Sequence, residues 1–233
     1  MEQELSTGAR MRSTPPARGA DGVGPIVLAL GGSAARASEP QWSPSVEWLV
    51  GKLAHDRPAC TWIEVRYRDR SWRALASCLA DARAALATLP TDAPVILLGF
   101  SMGGGIAIGV AADPRVRGVI GLAPWVPDGV PLEQLAGKRL AIVHGSRDRY
   151  LPFLPGVPAR HSLRVAERVR ELGSETSFTL ITGAVHAIAL RTVLGLVPLP
   201  HAAAWRSAVG AAIDELSAPP PTGTRSGSLL ASG

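Results

Sequence analysis

The stretch "GFSMG", residues 99–103, places Ser101 between two glycines, directly after a run of aliphatic residues. A predicted strand before it and a predicted helix after it make a strand-turn-helix junction. In that setting the Gly-x-Ser-x-Gly pattern holds the serine in a strained backbone conformation, and the small flanking residues let strand and helix approach closely. We therefore interpret Ser101 as a candidate nucleophile that the bend presents above a sheet.

An alcohol is a weak nucleophile at neutral pH, so Ser101 needs a base, and the base needs a partner that fixes its tautomer. His186 follows the last predicted strand in "GAVHA", and Asp148 follows the preceding strand in "HGSRD". Asp128, in "APWVPDG" after an earlier strand, remains an alternative for the acid. All these residues follow carboxyl ends of predicted strands, the edge at which open parallel sheets hold their ligands.

Other chemistries fit the glycine-rich bend less well. A phosphate-binding loop would need Gly-Lys-Ser or Gly-Lys-Thr, and the spacing of Gly103, Gly105 and Gly109 misses Gly-x-Gly-x-x-Gly by one residue. No two histidines have the spacing of metal ligands on one element, so no metal site is predicted. A nucleophilic serine is the better interpretation.

The loops "GFSMGG", "HGSRD" with the following "LP", and "GAVHA" together resemble the α/β-hydrolase superfamily over about residues 26–216. Within it the chain is similar to compact bacterial members of the esterase-like and dienelactone hydrolase-like kinds. The resemblance implies that Ser101 is the nucleophile, His186 the general base and acid, and Asp148 the orienting carboxylate. It implies no cofactor.

Short apolar runs alternate along the chain with longer amphipathic segments, a pattern typical of a mainly parallel sheet with helices on both faces. The predicted fold class is α/β, a single-domain α/β-hydrolase fold with about six strands. Strands are predicted over residues 25–30, 61–67, 94–100, 117–122, 139–144 and 177–182. Helices are predicted over residues 44–55, 72–89, 102–112, 162–172 and 202–216. The segment 124–137 is too short for a helical cap, so no large cap domain is expected.

Both ends of the chain are rich in Gly, Pro, Ser and Arg and show no hydrophobic periodicity. We predict disordered tails over residues 1–24 and 218–233, with the α/β-hydrolase domain over residues 25–217. Nothing before Gly24 is predicted to be a strand.

The chain is basic, with a formal net charge of +5 and a sequence pI near 10.0. Four arginines lie in the tails, and the densest remaining group, Arg66, Arg68, Arg70 and Arg73, lies at one strand-to-helix edge without interleaved aromatic residues or a nucleic-acid-binding motif. This favours a solvated basic edge over a nucleic-acid partner. The N-terminus has no apolar core of the length of a secretory signal, and no apolar stretch has the length of a membrane span, so we expect a cytoplasmic protein without a membrane partner.

The resulting hypothesis is a serine hydrolase acting on a small-molecule ester, thioester or lactone through an acyl-enzyme. The resemblance places the oxyanion hole at the backbone N–H groups of Met102 and Gly32, the latter in an "LGG" loop where the family often has His-Gly-Gly. Trp125, Leu151 and Phe153 are candidates for an apolar substrate pocket, or they cover the sheet edge.

Three alternatives stay open because a fold and a triad do not determine one reaction. The same residues could serve acyl transfer, cyclisation or lyase chemistry. The chain could instead be a non-catalytic ligand-binding protein on this scaffold. A nucleic-acid binder would show an affinity that falls steeply with salt. The sequence makes no prediction of oligomeric state.

Overall fold

A computed structural model describes residues 1–17, 24–33, 41–149 and 156–219 of the chain. The strands of its main sheet are β1 (Glu2–Glu4), β2 (Arg10–Thr14), β3 (Ile26–Leu30), β4 (Thr61–Arg66), β5 (Val95–Phe100), β6 (Val116–Leu122), β7 (Arg139–Gly145) and β8 (Thr176–Ile181). They lie in the order β1-β2-β4-β3-β5-β6-β7-β8. All neighbouring pairs are parallel except β1 with β2 and β2 with β4.

Helices cover both faces of this sheet. They are α1 (Pro44–Asp56), α2 (Leu75–Ala87), α3 (Met102–Gly109), α4 (Ala159–Glu171) and α5 (Ala202–Ser217), and 3₁₀ turns lie at Trp72–Ala74 and Leu132–Leu135. One buried cluster packs α2, α3 and α4 on one face, and the other packs α1 and α5 on the opposite face. Every residue of β3 and β5 is buried, because helices exclude water from both sides of a central parallel strand. The predicted α/β fold without a large cap is confirmed.

The prediction of a disordered segment over residues 1–24 is wrong for its first part. Residues 2–14 form β1, β2 and their connection, so the sheet has eight strands rather than six, and the domain begins before residue 25. Residues 18–23 and 220–233 of the two predicted tails lie outside the described residues.

The physical reason for this error is that the N-terminal strands carry almost no hydrophobic signal. Met11 is the one buried apolar residue within β1 and β2, and it lies opposite Val65 of β4. The pairing rests on backbone hydrogen bonds along β4 and on an ion pair between Arg12 and Glu64, whose Nε and Oε1 are 2.8 Å apart. A strand held at the sheet edge in this way has no hydrophobic periodicity in its sequence.

A second, two-stranded antiparallel sheet was not predicted. It consists of β9 (Ala189–Thr192) and β10 (Gly195–Pro198), directly after the loop of His186. The hydroxyl oxygen of Ser45 on α1 accepts a hydrogen bond from the Ile188 N–H at 3.0 Å and so ties this hairpin to the domain. Over the described residues, no helix combines the length and the apolar character needed to cross a membrane.

Candidate active site

Ser101 lies on a sharp turn between β5 and α3, with φ 54° and ψ −118°. The left-handed backbone is strained for a non-glycine residue and costs about 1–3 kcal/mol. A Cβ atom at Gly99 would lie 2.3 Å from the Gly103 carbonyl oxygen, and one at Gly103 would lie 2.1 Å from the Leu30 carbonyl oxygen. The glycines are therefore required by close backbone packing around the serine.

Hydrogen bonds from neighbouring strands hold this turn in place. The Ser101 N–H donates to the Leu122 carbonyl, and the Ser101 carbonyl accepts from the N–H groups of Gly104 and Trp125, each at 2.9 Å. Ser101 is partly exposed, whereas Ser162 on α4 is fully buried and its hydroxyl donates to the Pro124 carbonyl. Ser101 is thus the serine that can meet a substrate.

The loop after β3 lies against the serine. A Cβ atom on Gly32 would lie 2.9 Å from the Ser101 Cβ, so the Gly32 backbone is adjacent to Ser101. Met102 is the first residue of α3, where an N–H has no acceptor within the helix. Within the described chain, no backbone carbonyl accepts from the N–H of Gly32 or of Met102. Both N–H groups lie next to Ser101, and the described chain leaves them available as donors.

His186 and Asp148 form a short hydrogen bond, with 2.6 Å between Nδ1 and Oδ2. A carboxylate only accepts, so Nδ1 carries the hydrogen and Nε2 is left as the acceptor that a base requires. The His186 ring also packs on Phe100, the residue before Ser101, with 5.1 Å between ring centroids. The side chain of His186 is 19% exposed and that of Asp148 is fully buried.

Three donors surround the Asp148 carboxylate. Besides His186, the Val157 N–H donates to Oδ1 at 2.8 Å, and Nε2 of the buried His144 lies 3.3 Å from Oδ2. Burial alone would raise the pKa of Asp148, but the hydrogen bonds with His144 and His186 outweigh it and hold the pKa below its ordinary value. Asp148 is therefore ionised at neutral pH and can stabilise a protonated His186.

Other residues singled out in the sequence have different positions. Asp128 is exposed, and the structure brings Asp148 rather than Asp128 to His186. Trp125 is half-buried beside the turn of Ser101, and its ring lies edge-on to that of Trp72 with 6.5 Å between centroids. Leu151 and Phe153 lie outside the described residues.

Two contacts of this site were missed by sequence reasoning. His144, the last residue of a predicted strand, contacts Asp148 and donates from Nε2 to the Val157 carbonyl at 2.7 Å. Its four-residue spacing from Asp148 was the available signal. Arg70 donates from Nε to the Gly32 carbonyl at 2.7 Å, for which no local pattern exists. The described residues contain no group of three or more histidine, cysteine or acidic side chains arranged to hold a metal ion.

The family model of the alpha/beta hydrolase fold matches residues 17–182, so the chain belongs to this family. The matched segment includes Ser101 and Asp148 and ends before His186. A comparison with curated protein sequences gives no match.

Solved structures of esterases and hydrolases share the fold at low sequence identity. MGS-M1, an alpha/beta hydrolase enzyme from a Medee basin deep-sea metagenome library, is 17% identical with a TM-score of 0.68, and the alignment covers 93% of this chain and 97% of that one. Est1E from Butyrivibrio proteoclasticus is 16% identical with a TM-score of 0.62, over 89% of this chain and 94% of that one. Butyrate-bound Est2 from Thermogutta terrifontis is 18% identical with a TM-score of 0.58, over 90% and 88%.

Proposed function

We propose that this protein is a serine hydrolase that cleaves a carboxylic ester, thioester or lactone of modest size through an acyl-enzyme. The observation that carries the proposal is the 2.6 Å contact between His186 Nδ1 and Asp148 Oδ2, at the same sheet edge as the strained Ser101. In this proposal Ser101 is the nucleophile, His186 is the base and Asp148 is the acid, as predicted from the sequence.

Ser101 Oγ attacks the substrate carbonyl carbon while His186 Nε2 takes the hydroxyl proton. The ionised Asp148 stabilises the resulting imidazolium, and the N–H groups of Met102 and Gly32 hold the oxyanion. His186 next gives its proton to the leaving alcohol or thiol as the tetrahedral intermediate collapses. A water molecule, deprotonated by the same nitrogen, attacks the acyl group and restores Ser101.

The proposed substrates are small acyl compounds. Est1E has been solved with ferulic acid bound, and Est2 with butyrate bound, which supports an acyl ligand of this size for a chain of the same fold. No cap domain separates β6 from β7, so the turn of Ser101 is open to solvent on that side. Trp125, with Leu151 and Phe153, is proposed to line the apolar part of the pocket.

Covalent labelling with a fluorophosphonate tests the mechanism before any substrate is known. Intact-mass measurement should show one adduct on the wild type, none on Ser101→Ala, and slow labelling of His186→Ala. Ser33→Ala, a partly buried serine directly after Gly32, is the matched control and should label like the wild type. An unlabelled, folded wild type would refute the proposal and favour a ligand-binding protein.

A further inference from the structure

Arg70, in the loop between β4 and α2, places its guanidinium directly beside the candidate oxyanion loop. Its Nε donates to the Gly32 carbonyl at 2.7 Å, and its Nη1 donates to the Trp42 carbonyl at 3.5 Å. Gly32 is the residue whose backbone lies against Ser101. The cation is therefore close to Ser101. Arg70 follows β4, a strand that supplies none of the three residues of the proposed triad.

The charge of Arg70 is not balanced by any carboxylate that the structure describes, since both of its acceptors are neutral carbonyl oxygens. Two other partly buried arginines differ from Arg70: Arg12 pairs with Glu64, and Arg115 pairs with Asp113. Burying a guanidinium without a counter-ion is unfavourable, and such charges are normally paired. Within the described residues, the position next to Ser101 thus carries a positive charge that an anionic ligand can neutralise.

The surroundings of Arg70 strengthen this imbalance. Burial lowers its pKa, and the positive charge of Arg191 on β9 acts in the same direction. Arg191 itself is paired with Glu47. Among the described residues, Arg70 is therefore a positive charge at this edge without a carboxylate partner, and a ligand group with one negative charge would balance it.

The hydrogen-bonding capacity of Arg70 points to the same ligand. A guanidinium has five N–H donors, and here Nη2 donates to no described residue. The edge formed by Nη1 and Nη2 has the planar, forked geometry that binds the two oxygens of a carboxylate.

We propose that Arg70 binds a carboxylate carried by the substrate of Ser101, so that the enzyme prefers anionic esters to neutral ones of the same shape. The proposal rests on the proposed hydrolase function and adds the substrate class. The carboxylate can belong to the acyl chain or to the leaving alcohol, and the experiment separates these two sources.

Two pairs of chromogenic esters provide the test. 4-Nitrophenyl valerate and mono-4-nitrophenyl glutarate have acyl chains of equal length, and only the glutarate ends in a carboxylate. The butyrate esters of 2-nitrophenol and of 3-hydroxy-4-nitrobenzoic acid place the carboxylate on the leaving group instead. The measured quantity is the ratio of kcat/KM for the anionic ester to kcat/KM for its neutral partner.

In one of the two pairs this ratio should exceed about 10 for the wild type and fall by about 10- to 100-fold in Arg70→Gln, the range expected for a charge-assisted hydrogen bond. Arg70→Gln also loses the bond to the Gly32 carbonyl, which slows both esters alike and cancels in the ratio. Arg70→Lys keeps the charge without the fork and should retain an intermediate ratio. Added salt should lower the wild-type ratio.

Arg73→Gln is the control of equal charge change. Arg73 is exposed three residues further on and stacks over Trp72 at 5.3 Å, so its loss should change the ratio less than about twofold. Equal ratios for the wild type and Arg70→Gln in both pairs would overturn the proposal. If Ser101→Ala is inactive in that case, the hydrolase function stands and only the role of Arg70 is lost; turnover by Ser101→Ala would instead remove the function.

Discussion

Nε2 of the buried His144 lies 3.3 Å from Oδ2 of Asp148, the same carboxylate oxygen that His186 contacts at 2.6 Å. The same nitrogen donates to the Val157 carbonyl, while the Val157 N–H donates to the other oxygen of Asp148. His144, Asp148 and Val157 thus hold one another in the protein interior. His144 therefore positions Asp148, the proposed acid of the triad.

Replacing His144 should destabilise the fold, and the loss should depend on whether the new side chain can still donate to the Val157 carbonyl. His144→Phe leaves the buried Val157 carbonyl without its donor and should lower the free energy of unfolding by about 1–3 kcal/mol. His144→Gln keeps an N–H donor and should lose less than half of that amount. Urea unfolding followed by tryptophan fluorescence measures both, and equal losses in the two variants would contradict the assigned hydrogen bond.

The pH dependence of stability should change in the same variant. The pKa of Asp148 in the folded protein lies below its ordinary value of 3.8, so the ionised carboxylate stabilises the fold above that pH, and the contribution is lost as pH falls through the lowered pKa. His144→Phe removes one cause of the lowering. Between about pH 5 and about pH 3 it should therefore lose less free energy of unfolding than the wild type. Parallel stability curves would show that His144 does not act on Asp148.

Asp148→Asn should identify the acid of the triad. An asparagine has no negative charge to stabilise an imidazolium, and its NH2 group can donate to Nδ1 and hold the wrong tautomer, so kcat should fall by about 1,000- to 10,000-fold with 4-nitrophenyl butyrate. The exposed Asp128→Asn is the matched control and should retain at least about half of the wild-type kcat. A larger loss of kcat in Asp128→Asn would show that Asp128, not Asp148, is the acid of the triad.

Gly103 should not accept even an alanine. Its Cβ would lie 2.1 Å from the Leu30 carbonyl oxygen, so Gly103→Ala must displace β3 or α3 and should cost more than about 3 kcal/mol of unfolding free energy. Gly51→Ala is the same substitution inside α1 with nothing within 4 Å, and it should stabilise by about 0.5–1 kcal/mol. Thermal unfolding distinguishes the two, and a neutral Gly103→Ala would disprove the close contact.

The N-terminal hairpin should contribute to stability through Arg12. Its Nε and Nη2 both donate to Glu64, whose side chain is 7% exposed, so Arg12→Ala leaves a buried carboxylate unpaired and should cost about 1–3 kcal/mol. Arg10→Ala removes an exposed pair with Glu2 and should change the unfolding free energy by less than about 0.5 kcal/mol. Chemical denaturation gives both values, and similar losses would argue against a specific role for Arg12.

Parts of this structure were accessible from the sequence because their signal is local or periodic. The strands β3, β5, β6 and β7 are almost entirely buried, so each appears as a short, largely aliphatic run, and α1 and α2 repeat apolar residues at helical spacing. The edge strands β1 and β2 gave no such signal, because their stability comes from pairing with β4. The hairpin of β9 and β10 was missed as well, since its tip residues Val193 and Leu194 are almost fully exposed and form no buried face.

The sequence by itself determined the turn at Ser101. A serine between small residues after a buried strand leaves few conformations for that backbone, and the contacts that exclude the others involve mainly neighbouring residues. Only the tertiary structure decided which carboxylate meets His186, and that His144 contacts Asp148 and Arg70 contacts Gly32. Asp148 and His186 are 38 residues apart in the chain. Whether two such loops touch depends on the strands and helices that position their ends, and neither loop's own residues contain that information.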